Sequence, residues 1–343
     1  MKAVVLVGPG DVQVREVPDP VIQEPGDAIV EITATAICGA DLFPYHGYTP
    51  GFESGTILGH EFTGIVREVG PAVQGFRPGQ RVVNGSMIRC AACASCRAGR
   101  PTQCDERALF GYSGVYPRLD GGQAELVRIP AADLSLGAIP DGVSDESAVF
   151  VADILPTGYG AVHRGGVTAG DVVAVVGCGP VGLMAVMCAV HAGATVIAVD
   201  GIEERRGLAA SLGATSVTPD AAREAIGAAS GGIGADVVIE AAGAPQALDA
   251  SLHLARGRGI VSVVGAHFEP DFPLNNLHMF ERELTLRFTI GDPTNDREAL
   301  LGLIGDGAFD PAAVVTHRIP LADAAEAYRM FDAREATKVM LTP

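Results

Sequence analysis

Apolar positions along the chain follow two rhythms. Up to about residue 150 they form short β-like runs: Lys2–Val7, Val12–Val17, Ala28–Ala36, Gly64–Val69, Arg81–Val83 and Gln123–Ile129. Glycine and proline separate these runs. Strands spaced in this way predict a barrel-like all-β domain. From about residue 156 the pattern changes to apolar runs alternating with helical stretches. Val172–Val176, Thr195–Val199, Ala235–Ile239 and Ile260–Val264 read as buried strands. Glu203–Leu212 reads as a helix stopped by Gly213, and the Ala/Gly-rich Ala221–Gly234 as a helix and turn. Leu284–Ile290 alternates strictly and predicts the last strand of that sheet. Beyond about residue 293, Asp323–Phe331 predicts a helix and Lys338–Leu341 a final strand.

The first of the buried runs opens the most informative stretch. After Val172–Val176 come Gly177-Cys178-Gly179-Pro180-Val181-Gly182, an apolar helix that Gly193 can end, the strand Thr195–Val199, and Asp200. This is G-x-G-x-x-G set between a strand and a helix, with an acid at the end of the next strand. Loop glycines let the backbone approach a pyrophosphate, and the helix N-terminus offers it unpaired N–H groups and a partial positive charge. Asp200 stands where a carboxylate accepts hydrogen bonds from a ribose and repels a 2′-phosphate, which favours NAD over NADP. Arg205 and Arg206 weigh the other way, because either can hold that phosphate.

Composition narrows the class. At 343 residues two domains are expected. A net charge of −17 argues against nucleic acid or an anionic membrane as a partner. Apolar runs of transmembrane length are lacking, and the first ten residues read as a strand and turn, not a signal peptide. The expected location is therefore the cytoplasm. Four of the seven cysteines fall within 15 residues, which in a reducing compartment points to metal and not to disulfides.

Cys90, Cys93, Cys96 and Cys104 form C-x2-C-x2-C-x7-C. Four thiolates can close a tetrahedral shell around Zn²⁺, leaving no position for substrate, so the site is expected to be structural. An iron–sulfur cluster is the less favoured option. Elsewhere, Cys38 follows a strand, and His60 and Glu61 follow Gly59. A thiolate, an imidazole and a carboxylate in glycine-bounded turns suit a second zinc.

These motifs stand in the order of the zinc-dependent medium-chain alcohol dehydrogenases, which the whole chain resembles. Val315–Leu321 is similar to the bacterial formaldehyde-dehydrogenase-like branch. The resemblance implies an α/β protein: a GroES-like β-barrel catalytic domain over residues 1–155 and 293–343, with a structural-zinc lobe at 90–104. A Rossmann doubly wound parallel sheet is implied over 156–292. It also implies catalytic-zinc ligation by Cys38, His60 and Asp153, with Glu61 behind or joining the metal. Thr157 and Gly265 are implied near the nicotinamide, Lys338 at cofactor phosphate, and a homodimer or homotetramer through the Leu284–Ile290 edge. The implied reaction moves a hydride between the nicotinamide cofactor and an alcohol, aldehyde or ketone.

One departure bears on substrate. After Cys-Gly the family usually carries Ser or Thr, whose hydroxyl passes the alcohol proton outward; here Ala40 stands. Where a relay His is common, Phe43 stands. Neither side chain carries a proton. His46, Tyr45, Asp41 or water can supply another route. Alternatively the substrate is atypical: an imine, a conjugated C=C or a bulky apolar molecule. Phe43, Tyr45, Phe52, Phe110 and Tyr112 are candidates for the pocket wall. Outside this class, a nicotinamide-binding sensor or a zinc-binding module is the alternative.

Overall fold

A computed structural model describes residues 1–267, 271–272 and 274–343. The chain divides into two compact units, residues 1–153 with 292–343, and residues 154–291.

The first unit is built on a sheet in the order Leu136–Ala138, Arg81–Asn84, Glu61–Val69, Ala28–Ala36, Val339–Thr342 and His317–Pro320. Leu126–Ile129 also pairs with Ala28–Ala36. A second small sheet joins Asp11–Glu16, Lys2–Gly8 and Thr56–Ile57. The alternating apolar positions do what the pattern predicts. Ala28, Val30 and Ile32 pack with Phe62, Val66, Val82, Phe110 and Ile129 on one side. Ile37, Leu58, Val339 and Leu341 join Tyr328 and Phe331 of the helix Ala324–Asp332 in another core. The C-terminal strand Val339–Thr342 thus runs antiparallel against Ala28–Ala36, pairing Met340 with Ala36.

Strand Ala28–Ala36 has the predicted limits, while the run predicted from Gln123 pairs as a strand only from Leu126. Before Leu126 the backbone bonds to other segments, the Gln123 N–H donating to Leu58 O and its carbonyl accepting from Val4 N. Gln123 is fully buried, and its amide is spent on Ala36 O, Asp41 Oδ2 and the Tyr328 hydroxyl.

In the second unit the strands run Thr215–Val217, Thr195–Val199, Val172–Val176, Ala235–Glu240, Ala255–Val263 and Thr285–Phe288, all parallel among the described residues. In chain order this is 3-2-1-4-5-6, the doubly wound arrangement with its switch point between the first and fourth strands. The near-continuous apolar runs are explained by burial on both faces, since Val173, Ala174 and Val175 are all inaccessible. The strand predicted from Ile260 starts earlier, at Ala255, after a register shift against Ala235–Glu240. The strictly alternating stretch becomes the edge strand Thr285–Phe288. The GroES-like domain and Rossmann sheet implied by the sequence are both present.

Candidate metal centres and cofactor turn

Cys38 leaves the strand Ala28–Ala36 and caps a short 3₁₀ turn, Gly39–Asp41. Its backbone N–H donates to Asp41 Oδ2 at 3.0 Å. His60 precedes the strand Glu61–Val69, held by Gly59 at φ +96°, where a Cβ would collide with Gln123. Asp153 follows the 3₁₀ turn Val149–Ala152. Residues far apart in the chain therefore converge: Cys38, His60, Glu61 and Asp153 each offer a donor atom, all within 4.8 Å of one another. Asp153 Oδ2 lies 3.4 Å from Cys38 Sγ and 3.2 Å from His60 Nε2. His60 and Glu61 are sealed in, whereas the Asp153 side chain keeps a quarter of its surface open.

Around these atoms stands a shell of supports. His60 Nδ1 sits 3.2 Å from Asp41 Oδ1, a charge-pair contact without hydrogen-bond geometry, while Nε2 faces Asp153. Glu61 Oε2 accepts from Lys338 Nζ, which also donates to Ile37 O at 2.9 Å; both side chains are fully buried. Glu61 Oε1 is buried with no hydrogen-bond partner among the described residues. An orphaned carboxylate oxygen beside a thiol, an imidazole and a second carboxylate is the donor set a zinc ion satisfies.

The electrostatics agree. Burial, then the negative charge of Glu61, pushes the Cys38 thiol up to about 12. Burial also raises Glu61, against the pull of Lys338. His60 is raised well above the usual histidine range: burial opposes this, but Asp41, Cys38 and Asp153 prevail. Asp153 is lowered despite burial by its contacts with His60 and Cys38. Cys38 and His60 thus hold protons that a bound cation would displace.

The second cluster is different in kind. The sulfurs of Cys90, Cys93, Cys96 and Cys104 also lie within 4.8 Å of one another. Backbone N–H groups aim at them: Cys90 to Cys104 Sγ at 3.3 Å, Ala92 to Cys90 Sγ at 3.4 Å, Cys93 to Cys90 Sγ at 3.3 Å, and Cys96 to Cys93 Sγ at 3.5 Å. Such donors stabilise thiolate; hydrogen bonds from the Cys96 and Asp105 backbones lower Cys93 to about 6. Only Cys104 is buried, and the paired strands Met87–Ile88 and Ala108–Leu109 clasp the base of the lobe.

The glycine turn has the form its sequence predicts. Gly177 has φ +93°, and a Cβ there would lie 2.8 Å from Ala242 N. At Gly182 a Cβ would lie 1.8 Å from Gly177 O, so only glycine permits this close approach. Gly179 caps the helix Pro180–His191, whose second residue is Val181. Asp200 accepts from Cys178 N at 2.7 Å and Ile202 N at 2.8 Å, so it also braces the turn. Arg205 Nη1 comes within 3.9 Å of a Cβ built on Gly179, while Arg206 is spent on Asp200 O and Gly201 O. Thr157, on the helix Ile154–Gly165, packs against Gly291. Gly265 packs against Gly243.

The family of this chain follows from comparison with known proteins. Residues 24–141 match the alcohol dehydrogenase GroES-like domain, and residues 180–305 match the zinc-binding dehydrogenase domain. A probable zinc-binding alcohol dehydrogenase of Mycobacterium tuberculosis is 38% identical over 99% of this chain and 87% of its own length. This chain belongs to the zinc-binding alcohol dehydrogenases. The solved alcohol dehydrogenase of Thermus sp. ATN1 superposes with a TM-score of 0.95 at 38% identity, over 100% of this chain and 99% of its own. A putative zinc-binding dehydrogenase of Sinorhizobium meliloti, solved with NADP, gives 0.89 at 32% identity, over 100% and 99%. The protein is accordingly a zinc-binding oxidoreductase of the alcohol dehydrogenase type.

One expectation needs correction. Lys338 does not stand free for cofactor phosphate: it is inaccessible, and its ammonium is engaged by Glu61 and Ile37 O. His46 is one of the expected alternatives for the proton route. It lies at the surface with Nε2 2.8 Å from Asp332 Oδ1, between Tyr45 and Tyr48. Among the aromatic candidates, Phe110 is core, edge-on to Phe62, and Tyr45 stacks on Tyr328. Tyr112 sits edge-on to His60, and its hydroxyl donates to Ala40 O. Sequence reasoning did not single out the buried Glu240, which accepts from Ala242 N, Gly243 N and His267 beside the glycine turn. The acid ending the apolar run Ala235–Ile239 was the available signal.

Proposed function

We propose that Cys38, His60 and Asp153 hold a catalytic zinc, with Glu61 as a reserve donor, and that the four-cysteine lobe holds a second, structural zinc. The convergence of Cys38, His60, Glu61 and Asp153 within 4.8 Å carries this reading. A zinc ion held there would act as a Lewis acid toward an alcohol or carbonyl oxygen. Asp41 stands against His60 Nδ1, and Lys338 neutralises Glu61 so that two acids can face one site. The quarter-open side of Asp153 is where substrate would approach. Tyr112 brings a hydroxyl to the backbone of Ala40, and its donation to Ala40 O holds the ring beside His60. This pocket, without a hydroxyl at residue 40 or an imidazole at 43, suits a bulky or apolar carbonyl or alcohol better than ethanol.

The cofactor in this reading is NAD, bound by the Gly177–Gly182 turn with Asp200 at the adenosine ribose. NADP is the second reading, favoured by Arg205 beside Gly179 and by the relative that carries it. Thr157 and Gly265 contact the nicotinamide half. Self-association runs through the edge strand Thr285–Phe288, where Phe288 is two-thirds exposed and Ile290 half exposed. No helix among the described residues is long and apolar enough to cross a membrane, and a thiol-preserving cytoplasm suits seven free cysteines.

Metal analysis should find two zincs per chain; one would remove the catalytic site from this reading. Following nicotinamide absorbance over alcohols, aldehydes, ketones, imines and enones, with NAD and NADP at equal concentration, names the substrate class. An NADP preference would reverse the cofactor assignment.

A further inference from the structure

The second unit contains a cavity lined by none of the residues of the metal clusters or the glycine turn. It has a volume of about 150 Å³ and is lined by Arg223, His253 and Arg282, together with Ile226, Ile233 and Leu254. It lies at the start of two neighbouring strands of the parallel sheet, since Gly234 and Ala255 also line it. The glycine turn and Glu240 belong to the opposite ends of the same sheet.

Three basic side chains meet here, and no carboxylate lines the cavity among the described residues. In a chain with 41 acidic and 24 Lys or Arg residues this is against the trend. Nearby arginines show the usual arrangement: Arg256 pairs with Asp236 at 2.6 Å and Arg258 with Glu283 at 3.0 Å. The larger cavity of the first unit is no exception, because its Arg118 and Arg128 are paired with Glu53, Asp120 and Asp27. Arg223, by contrast, has no ion pair or hydrogen bond with any described residue. Arg282 gives one Nη2 bond to Ala255 O at 2.8 Å, and its Nε is buried with no partner among the described residues. His253 has only Asp249, at 3.9 Å on its own helix, and leans on the His278 ring at 4.2 Å.

Backbone carbonyls at two helix ends contribute some negative potential here. Arg282 satisfies one of them, and His278 Nε2, 3.2 Å from Leu252 O, another. That leaves the buried Arg282 Nε–H unmet, with the Arg223 guanidinium beside it on an exposed residue, free of any protein acceptor among the described residues. A buried guanidinium N–H without an acceptor is costly. A compact oxyanion would satisfy it, and two forks match such a group bidentately.

We propose that this cavity is a binding site for a compact oxyanion, a phosphate or carboxylate group, clamped by Arg223 and Arg282 with His253 at its rim. It would be separate from the metal clusters and from the glycine turn. The apolar wall of Ile226, Ile233 and Leu254 would accommodate a short hydrocarbon part if the ligand has one.

The test uses the full-length, metal-loaded protein and titrates inorganic phosphate and, separately, acetate and benzoate, at ionic strength fixed with chloride. Binding is read by calorimetry and by the melting temperature. At least one of these anions should bind, and Arg223→Ala should weaken it by about tenfold or more. Arg282→Gln should do the same, with Arg282→Lys intermediate. Turnover without added anion should be unchanged in Arg223→Ala. Preference for phosphate or for a carboxylate tells which group the site takes. Equal binding by wild type and Arg223→Ala would overturn the proposal, because anions held at the Gly177 turn would behave in that way. No binding of any of the three anions would overturn it as well.

Discussion

Two four-donor clusters occupy the same unit of this protein, and their surroundings differ almost completely. Cys38, His60, Glu61 and Asp153 are collected from separate segments and supported by a buried scaffold of Asp41, Gln123, Lys338 and Tyr328. Cys90, Cys93, Cys96 and Cys104 come from one loop, three of them only half-buried. The first cluster is pre-organised by the core, so the fold would position a metal bound there. The second has little core of its own, so a metal bound there would position the fold. Mixed donors with an open side suit chemistry, and a closed set of thiolates suits architecture.

The contrast is most sharply tested by removing one ligand from each cluster. His60→Gln should lower kcat/KM by at least about a thousandfold while the far-ultraviolet spectrum and the lobe's metal are retained. Cys93→Ser should instead open the lobe to proteolysis within residues 91–103 and cost on the order of 3 kcal/mol of stability. If the two variants behaved alike, the division of labour would be wrong.

The buried cluster also depends on its counter-charge. Lys338→Met would leave the fully buried Glu61 carboxylate without its counter-ion, at a cost of about 3–5 kcal/mol in denaturant unfolding. Adding Glu61→Gln should recover part of this loss, because a neutral amide needs no counter-ion. An additive double variant would mean that the pair is not coupled.

Most of the architecture was legible in the sequence because burial leaves a periodic trace. The strands Val172–Val176 and Thr195–Val199 have the limits their β-branched runs predict, and the glycines at 177 and 182 occupy positions that only glycine can fill. The cysteine lobe was readable because its ligands are close in sequence. The supporting shell was not. Asp41, Gln123 and Glu240 act through contacts that link separate segments, and a polar residue in an apolar run does not announce its partner. Lys338 was misread for the same reason: a lone lysine before a strand looks like a solvent or phosphate contact until the fold brings Glu61 to it.

Proton release should separate the clusters more gently. In the buried site Cys38, raised to about 12, and His60, raised well above its usual range, both carry protons at neutral pH. Metal takes the thiolate and the neutral imidazole, so loading must expel these protons. Apparent affinity should therefore rise with pH, by up to about a hundredfold per unit while both groups are protonated. Calorimetry in buffers of different ionisation enthalpy measures the release. In the lobe Cys93, lowered to about 6, is already largely thiolate at pH 7 and contributes little, whereas Cys96, raised to about 12 by desolvation and by its bonds with Cys93 and Cys104, must still give up its proton. A His60→Gln protein, metallated only at the lobe, would report that contribution alone.

The smallest expected effect concerns the open side of the buried cluster. Ala40 is half-buried in the turn that carries Cys38, and its carbonyl already accepts from Tyr112. Ala40→Ser adds one hydroxyl without disturbing that backbone bond, so stability should move by less than about 0.5 kcal/mol. Turnover of simple alcohols should change by less than about threefold, because a proton passed to the introduced hydroxyl would still meet Phe43, which has no atom to receive it. Ala40→Ser combined with Phe43→His supplies both links, and only that pair should raise activity toward small alcohols. If the single serine sufficed, water would be completing the path beyond residue 40, and the pocket would be wetter at Phe43 than its side chain suggests.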